Sequence, residues 1–134
     1  MKRIVVIVYL FSSFFTSCNS LMGVKNLGSG YFFDTDQILY TEKSTYNGIG
    51  IVIIPNTVLE TNEDNNYILV RSENNKKEMQ YWIIDKNSNK DQKRLHEADS
   101  LFNSYYIYDN VFGPLSLAEF KDKKRSLKID LDLK

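Results

Sequence analysis

Residues 67–85 read Tyr67-Ile68-Leu69-Val70-Arg71-Ser72-Glu73-Asn74-Asn75-Lys76-Lys77-Glu78-Met79-Gln80-Tyr81-Trp82-Ile83-Ile84-Asp85, and their pattern decides the fold. The apolar runs at 67–70 and 78–85 are rich in β-branched and aromatic side chains, which suit a pleated, packed surface. In the second run Met79, Tyr81 and Ile83 fall on one face and Trp82 and Ile84 on the other, the period of two that a strand imposes. Between the runs, residues 72–77 carry two asparagines and two lysines, the chemistry of a hairpin connection.

Towards the N-terminus the β pattern continues. Ile49-Gly50-Ile51-Val52-Ile53-Ile54 follows the Tyr46-Asn47-Gly48 turn signal. It is too continuously apolar for a strand with one wet face, and predicts a central strand covered on both sides. Pro55 ends that run because proline cannot donate to a ladder. Tyr31-Phe32-Phe33 and residues 37–42 predict two short strands around an Asp34-Thr35-Asp36 turn. Val58-Leu59-Glu60 predicts a turn or partial strand ahead of a polar linker at 61–65.

Towards the C-terminus the period changes. Asn87-Ser88-Asn89 supplies an N-cap, and Leu95, Ala98, Phe102, Tyr105 and Tyr106 recur at helical spacing, so a first helix is predicted there. Gly113-Pro114 breaks the chain. Ser116-Leu117-Ala118-Glu119 spells a capping box for a second helix, on which Leu117, Phe120, Lys124 and Leu127 share a face. Ile129, Leu131 and Leu133 alternate with Asp130, Asp132 and Lys134, predicting a terminal strand or tail. The expected fold class is α+β: one antiparallel sheet of four to five strands with two helices. About 105 residues can form one core but not two, so residues 28–134 are read as a single domain.

The N-terminus follows a different grammar. Lys2 and Arg3 form a short positive region, residues 4–11 are uninterruptedly apolar, and Phe14 and Phe15 extend the run. This stretch is shorter than the about 20 residues a permanent membrane span needs. Small residues Thr16 and Ser17 then precede Cys18, the chain's single cysteine. The expected organisation is a signal peptide at 1–17, a tether at 18–27 and the domain at 28–134.

Composition narrows the function. The whole chain balances 17 Lys and Arg against 17 Asp and Glu, and without residues 1–17 it carries 15 against 17. That balance excludes the broad basic footprint of nucleic-acid binding. Hydrophobic residues at 43% exclude a disordered chain. One cysteine and one histidine exclude a disulfide framework and the usual zinc clusters.

Candidate chemistry is sparse. His96 with Ser100 at i, i+4 would meet on a helix face, but a working nucleophile also needs an orienting acid and an oxyanion hole. Asp34, Asp36 and Glu42 lack the glycine and distal glutamate of a calcium loop. Glu60, Glu63 and Asp64 read as a solvated acidic loop. Gly28-Ser29-Gly30 precedes a strand rather than opening a helix, which suits backbone freedom and not a phosphate cradle. Lys121, Lys123, Lys124 and Arg125 interleave with Glu119 and Asp122, as on a solvated helix face. No catalytic residue, metal ligand or cofactor is expected. The tyrosines stand out, because Tyr and Trp combine an apolar body with a polar tip and are enriched at recognition surfaces. Tyr67, Tyr81 and Trp82 are the candidate partner surface.

Phe15-Thr16-Ser17-Cys18 resembles the lipobox of bacterial lipoproteins, with Phe15 where leucine is more usual. The resemblance implies a diacylglycerol thioether on Cys18, cleavage before it and acylation of the new amine. Asn19 is not the aspartate that favours inner-membrane retention, so an outer-membrane lipoprotein facing the periplasm is expected if the source has two membranes. Leu27-Gly28-Ser29-Gly30-Tyr31, Ile53-Ile54-Pro55 with Val58-Leu59-Glu60, Tyr81-Trp82-Ile83-Ile84-Asp85-Lys86, and Gly113-Pro114-Leu115-Ser116 with Glu119-Phe120 are similar to a family of small bacterial lipoproteins whose domain has no assigned function. Residues 87–110 are longer than that family's usual link. The expected function is a non-enzymatic, membrane-tethered interaction module of the cell envelope, partnered by the membrane through its lipid and by an envelope protein. The alternatives are an immunity protein that neutralises a toxin in the periplasm and, further off, a hydrolase using His96.

Overall fold

The computed structural model describes residues 23–41, 48, 50–54, 57–88, 93–96 and 105–134. In chain order they form β1 (Val24–Gly28), β2 (Tyr31–Asp34), β3 (Gln37–Tyr40), β4 (Ile51–Ile54), β5 (Thr57–Glu63), β6 (Tyr67–Glu73), β7 (Met79–Asp85), β8 (Lys93–His96), β9 (Tyr105–Tyr108), β10 (Val111–Leu115) and α1 (Leu117–Ser126). Two four-stranded antiparallel sheets result, ordered β1-β2-β3-β4 and β10-β7-β6-β5, while β8 and β9 pair as a two-stranded sheet. The antiparallel α+β character expected from sequence is present. The single sheet is replaced by two large ones, and one helix is found among the described residues where two were expected.

The 67–85 hairpin is the centre of the second sheet. Seven consecutive pairs run from Tyr67↔Asp85 to Glu73↔Met79 without a bulge. Its two faces have different neighbours. Ile68, Val70, Trp82 and Ile84 join Tyr31, Ile38, Ile53 and Ile54 of the first sheet in the inter-sheet core. Leu69 and Ile83, on the opposite face, pack with Phe120 of α1 and Ile129 of the C-terminal tail. Ile68, Leu69, Val70, Trp82, Ile83 and Ile84 are therefore all 0% exposed.

The doubly covered strands are thus β6 and β7, and not the 49–54 run. β4 lies at an edge of its sheet, and Ile51 is 54% exposed. A β-branched run has the same composition at an edge as at a centre, and only its pairing partners separate the two.

The polar linker at 61–65 is corrected as well, because β5 continues through Thr61 to Glu63 in register with β6. Its charges are spent locally: Glu60 pairs with Arg71 at 3.1 Å and Glu63 with Lys25 at 3.0 Å. Charged side chains on an edge strand also discourage pairing with another chain.

The helix expected after residue 87 is absent from the described residues. Leu95 lies in β8, facing Tyr106 of β9 across the ladder, and Ala98 and Phe102 lie outside the described residues. The helical spacing was a coincidence of a few positions. Tyr105-Tyr106-Ile107-Tyr108 is aromatic and β-branched, and strand preference prevails there.

Local signals elsewhere hold. Ser116 caps α1, accepting from the Glu119 amide at 3.2 Å while the Glu119 carboxylate accepts the Ser116 N–H at 2.7 Å. That backbone hydrogen bond holds the Glu119 carboxyl below its usual pKa. Phe120 and Leu127 face the sheet as expected, whereas Leu117 is 47% exposed. Gly28-Ser29-Gly30 forms the β1–β2 turn, and a Cβ on Gly30 (φ +87°) would lie 2.5 Å from the Thr41 carbonyl oxygen. β1 itself starts at Val24, within the stretch read as tether, and buries Leu27.

Buried polar groups tie the two large sheets together at one end. Asn110 Nδ2 donates to the Tyr31 hydroxyl of the first sheet at 2.7 Å and to the Asp85 carbonyl of the second at 2.8 Å. Lys86, 8% exposed, donates to the Asp64 carbonyl, and burial pulls its pKa below the usual range. Burial pushes the Tyr31 hydroxyl up to about 12, with smaller opposing and reinforcing effects from Asn110, Tyr40, Asp85 and Tyr108.

A group whose folded pKa is raised contributes its full stability below the unfolded value and loses it as pH rises through the folded one. We therefore expect stability to fall between about pH 10 and 12, by on the order of 2–3 kcal/mol from this one phenol. Urea unfolding at pH 9 and pH 11.5 should show this loss shrinking in Tyr31→Phe. An undiminished loss in the variant would assign the alkaline sensitivity to other groups.

Candidate functional site

The outer face of the second sheet is only partly covered. α1 crosses it above β7 and β10, and the tail from Leu127 to Leu133 returns over β6 and β5. Asn62 of β5 donates to the Asp132 carbonyl at 2.7 Å, and the Lys134 N–H donates to Glu60, which fixes the tail along the edge strand. Between helix and tail lies a cleft of about 210 Å³ lined by Arg71, Tyr81, Leu117, Phe120, Lys121, Lys124, Asp132, Leu133 and Lys134.

Its floor is aromatic. The Tyr81 and Phe120 rings stand 5.1 Å apart, tilted by 33°. Its rim is basic, with four cations against Asp132. Two of the cations are engaged, Arg71 with Glu60 and Lys124 with Asp132. Among the described residues neither the Lys121 nor the Lys134 ammonium meets a carboxylate. Lys123, on the neighbouring side of α1, sits 4.1 Å above the Phe112 ring. The basic run on α1 is therefore not a uniformly solvated face, since Lys123 and Lys124 are bound into the structure.

Of the three aromatic candidates, the structure places one in the cleft. Tyr81 forms part of the floor. Tyr67 lies on the same sheet face but packs against the core beneath the tail. Trp82 points the opposite way into the inter-sheet core, 0% exposed, its indole N–H donating to Ser72 Oγ at 2.8 Å. It has no surface to offer a partner. Adjacent strand residues take opposite faces, so Tyr81 and Trp82 could not have shared a surface.

The remaining candidates separate. His96 lies in strand β8, where residues four apart do not meet as on a helix, and Ser100 lies outside the described residues, as does Cys18. Asp34 and Asp36 flank Thr35 (φ +60°) in the β2–β3 turn, and Glu42 is outside the described residues. Among the described residues no three His, Cys, Asp or Glu side chains are grouped to hold a metal ion. Asp64 accepts the amides of Asn66 and Tyr67, so the Glu60–Asp64 acids serve the hairpin and the edge strand rather than a free loop. Arg71 and Lys134 carry no local signal in the sequence, because their convergence with Lys121 needs a strand, a tail and a helix brought together.

Residues 31–134 match a protein family described as a protein of unknown function, DUF3997, and the match begins at the first residue of β2. No curated protein and no solved structure matches the chain. Among the described residues no helix is long and apolar enough to cross a membrane.

Proposed function

Starting from the fact that the chain belongs to the DUF3997 family, whose function is unknown, we propose that it is a lipid-anchored protein of the bacterial cell envelope and acts there as a non-enzymatic interaction module. The observation that carries this reading is the placement of the only cysteine. Cys18 closes an apolar segment that follows Lys2 and Arg3, and it stands six positions ahead of Val24, where β1 begins. Six extended residues reach roughly 20 Å, so an acylated Cys18 would hold the folded domain close to the membrane surface. One acyl chain binds a bilayer marginally, whereas two or more anchor stably, which is why acylation at both the thiol and the new amine matters. The cleft supports the interaction half of the reading. It offers an apolar floor and, among the described residues, two lysines that meet no carboxylate, the means to hold a group.

Expression of the full chain beside Cys18→Ser tests the anchor. The wild type should give a mature mass beginning at a triacylated Cys18 and remain with the membranes. Cys18→Ser should keep residues 1–17 and lose the acyl mass. An unmodified protein cut elsewhere and free of the membrane would refute the reading.

A further inference from the structure

The cleft is smaller than a small-molecule site, which typically offers about 300–1,000 Å³. At about 210 Å³ it has room for one or two side chains. The chain as a whole is electrically balanced, yet the cleft gathers Arg71, Lys121, Lys124 and Lys134 around Tyr81 and Phe120. After the Glu60–Arg71 and Asp132–Lys124 pairs are counted, Lys121 and Lys134 are the lining cations that meet no carboxylate among the described residues, beside the aromatic pair Tyr81 and Phe120. An occupant complementary to this has a carboxylate beside an apolar side chain.

We propose that the cleft between α1 and the C-terminal tail captures an acidic segment of a partner protein, whose aspartate or glutamate meets Lys121 and Lys134 while an adjacent apolar side chain settles on Tyr81 and Phe120. This rests on the interaction reading above and specifies its partner. A flat anionic bilayer fits less well. The cleft is concave, and its rim carries a carboxylate, Asp132, whose side chain is 81% exposed. A flat sheet of headgroups cannot enter a concave cleft of this size, whereas a single extended peptide can place one carboxylate at the lysines and leave the Lys124–Asp132 pair intact. The exposed Leu117 at the mouth adds an apolar contact for the residue that follows.

The test uses the full chain in detergent with a capped, fluorescein-labelled pentapeptide alternating leucine and aspartate, and its asparagine counterpart. Anisotropy at low salt should show the aspartate peptide binding at least tenfold more tightly than the asparagine one. The preference should weaken as salt is raised. Lys121→Glu with Lys134→Glu should abolish the preference, while Lys76→Glu, on the remote β6–β7 turn, should keep it. The Trp82 near-UV signal reports whether each variant is folded. Equal binding of the two peptides, no binding at all, or an undiminished preference in the folded double variant would overturn the proposal. So would tighter binding of the Cys18→Ser chain to phosphatidylglycerol vesicles than to phosphatidylcholine vesicles, if Lys121→Glu with Lys134→Glu removes the difference while the peptides go unbound, because the cleft would then be a membrane contact. Acylation of Cys18 is read separately by mass, so loss of the anchor reading would leave this result standing.

Discussion

Trp82→Ala is expected to destabilise the domain by about 3–5 kcal/mol, the range for removing a large aromatic from a core. Trp82 is the largest of the fully buried side chains and sits where the two sheets meet. Its indole N–H is also the donor to Ser72 Oγ at 2.8 Å, and Ser72 is itself 0% exposed. Truncation leaves a cavity and removes the hydroxyl's partner together. A small domain is stable by about 5–15 kcal/mol in total, so this one change removes roughly a fifth of that margin at the least and all of it at the most. Chemical unfolding followed by far-UV circular dichroism measures it, since Trp82 is the only tryptophan and fluorescence is lost with it. Trp82→Phe keeps most of the volume while losing the donor and part of the ring, and should cost clearly less. A loss under about 1 kcal/mol for the alanine variant would mean that the inter-sheet core does not carry the fold.

Gly113→Ala is expected to cost about 3 kcal/mol or more, from two sources acting at one position. Gly113 has φ +149°, where a side chain is strained. A Cβ there would also lie 2.4 Å from Trp82 Cε3 and 2.8 Å from Cδ2, with the Tyr81 carbonyl oxygen at 3.0 Å. The ring is locked in the core and cannot swing aside. Combining the two substitutions separates the sources. With the indole gone its two closest contacts disappear and only the Tyr81 carbonyl contact stays, so the double variant should be more stable than the sum of the single losses by about 1–2 kcal/mol. Strict additivity would show that the Trp82 ring does not press on Gly113.

What could be read before any coordinates were known depends on how far along the chain each signal extends. The 67–85 hairpin and the Ser116–Glu119 capping box were legible because each is written within a few residues: a period of two about a polar turn, and a hydroxyl and a carboxylate three positions apart. The Asp34-Thr35-Asp36 turn was legible for the same reason. The helix expected from Leu95 to Tyr106 rested on five scattered apolar positions. Such a pattern does not discriminate against a pair of short strands, and β8 and β9 occupy its two ends. Tyr81 was recognisable as a residue type suited to recognition, and so was Trp82, but type alone did not say that one faces a cleft and the other the core.

Backbone rules act between near neighbours, and so the residues themselves settle that this is a mainly antiparallel domain with a capped helix near its C-terminus. Burial is a different matter, because it belongs to whole faces brought together from distant parts of the chain. Only the assembled structure makes β6 and β7 central and β4 an edge, divides the strands into two sheets, and gives the 67–85 hairpin a core on both sides. Only the assembled structure, likewise, draws Arg71 from a strand, Lys121 from a helix and Lys134 from the tail to the rim of one cleft. Long-range pairing decides which side chains lose water and which charges become neighbours, and no local pattern encodes that choice.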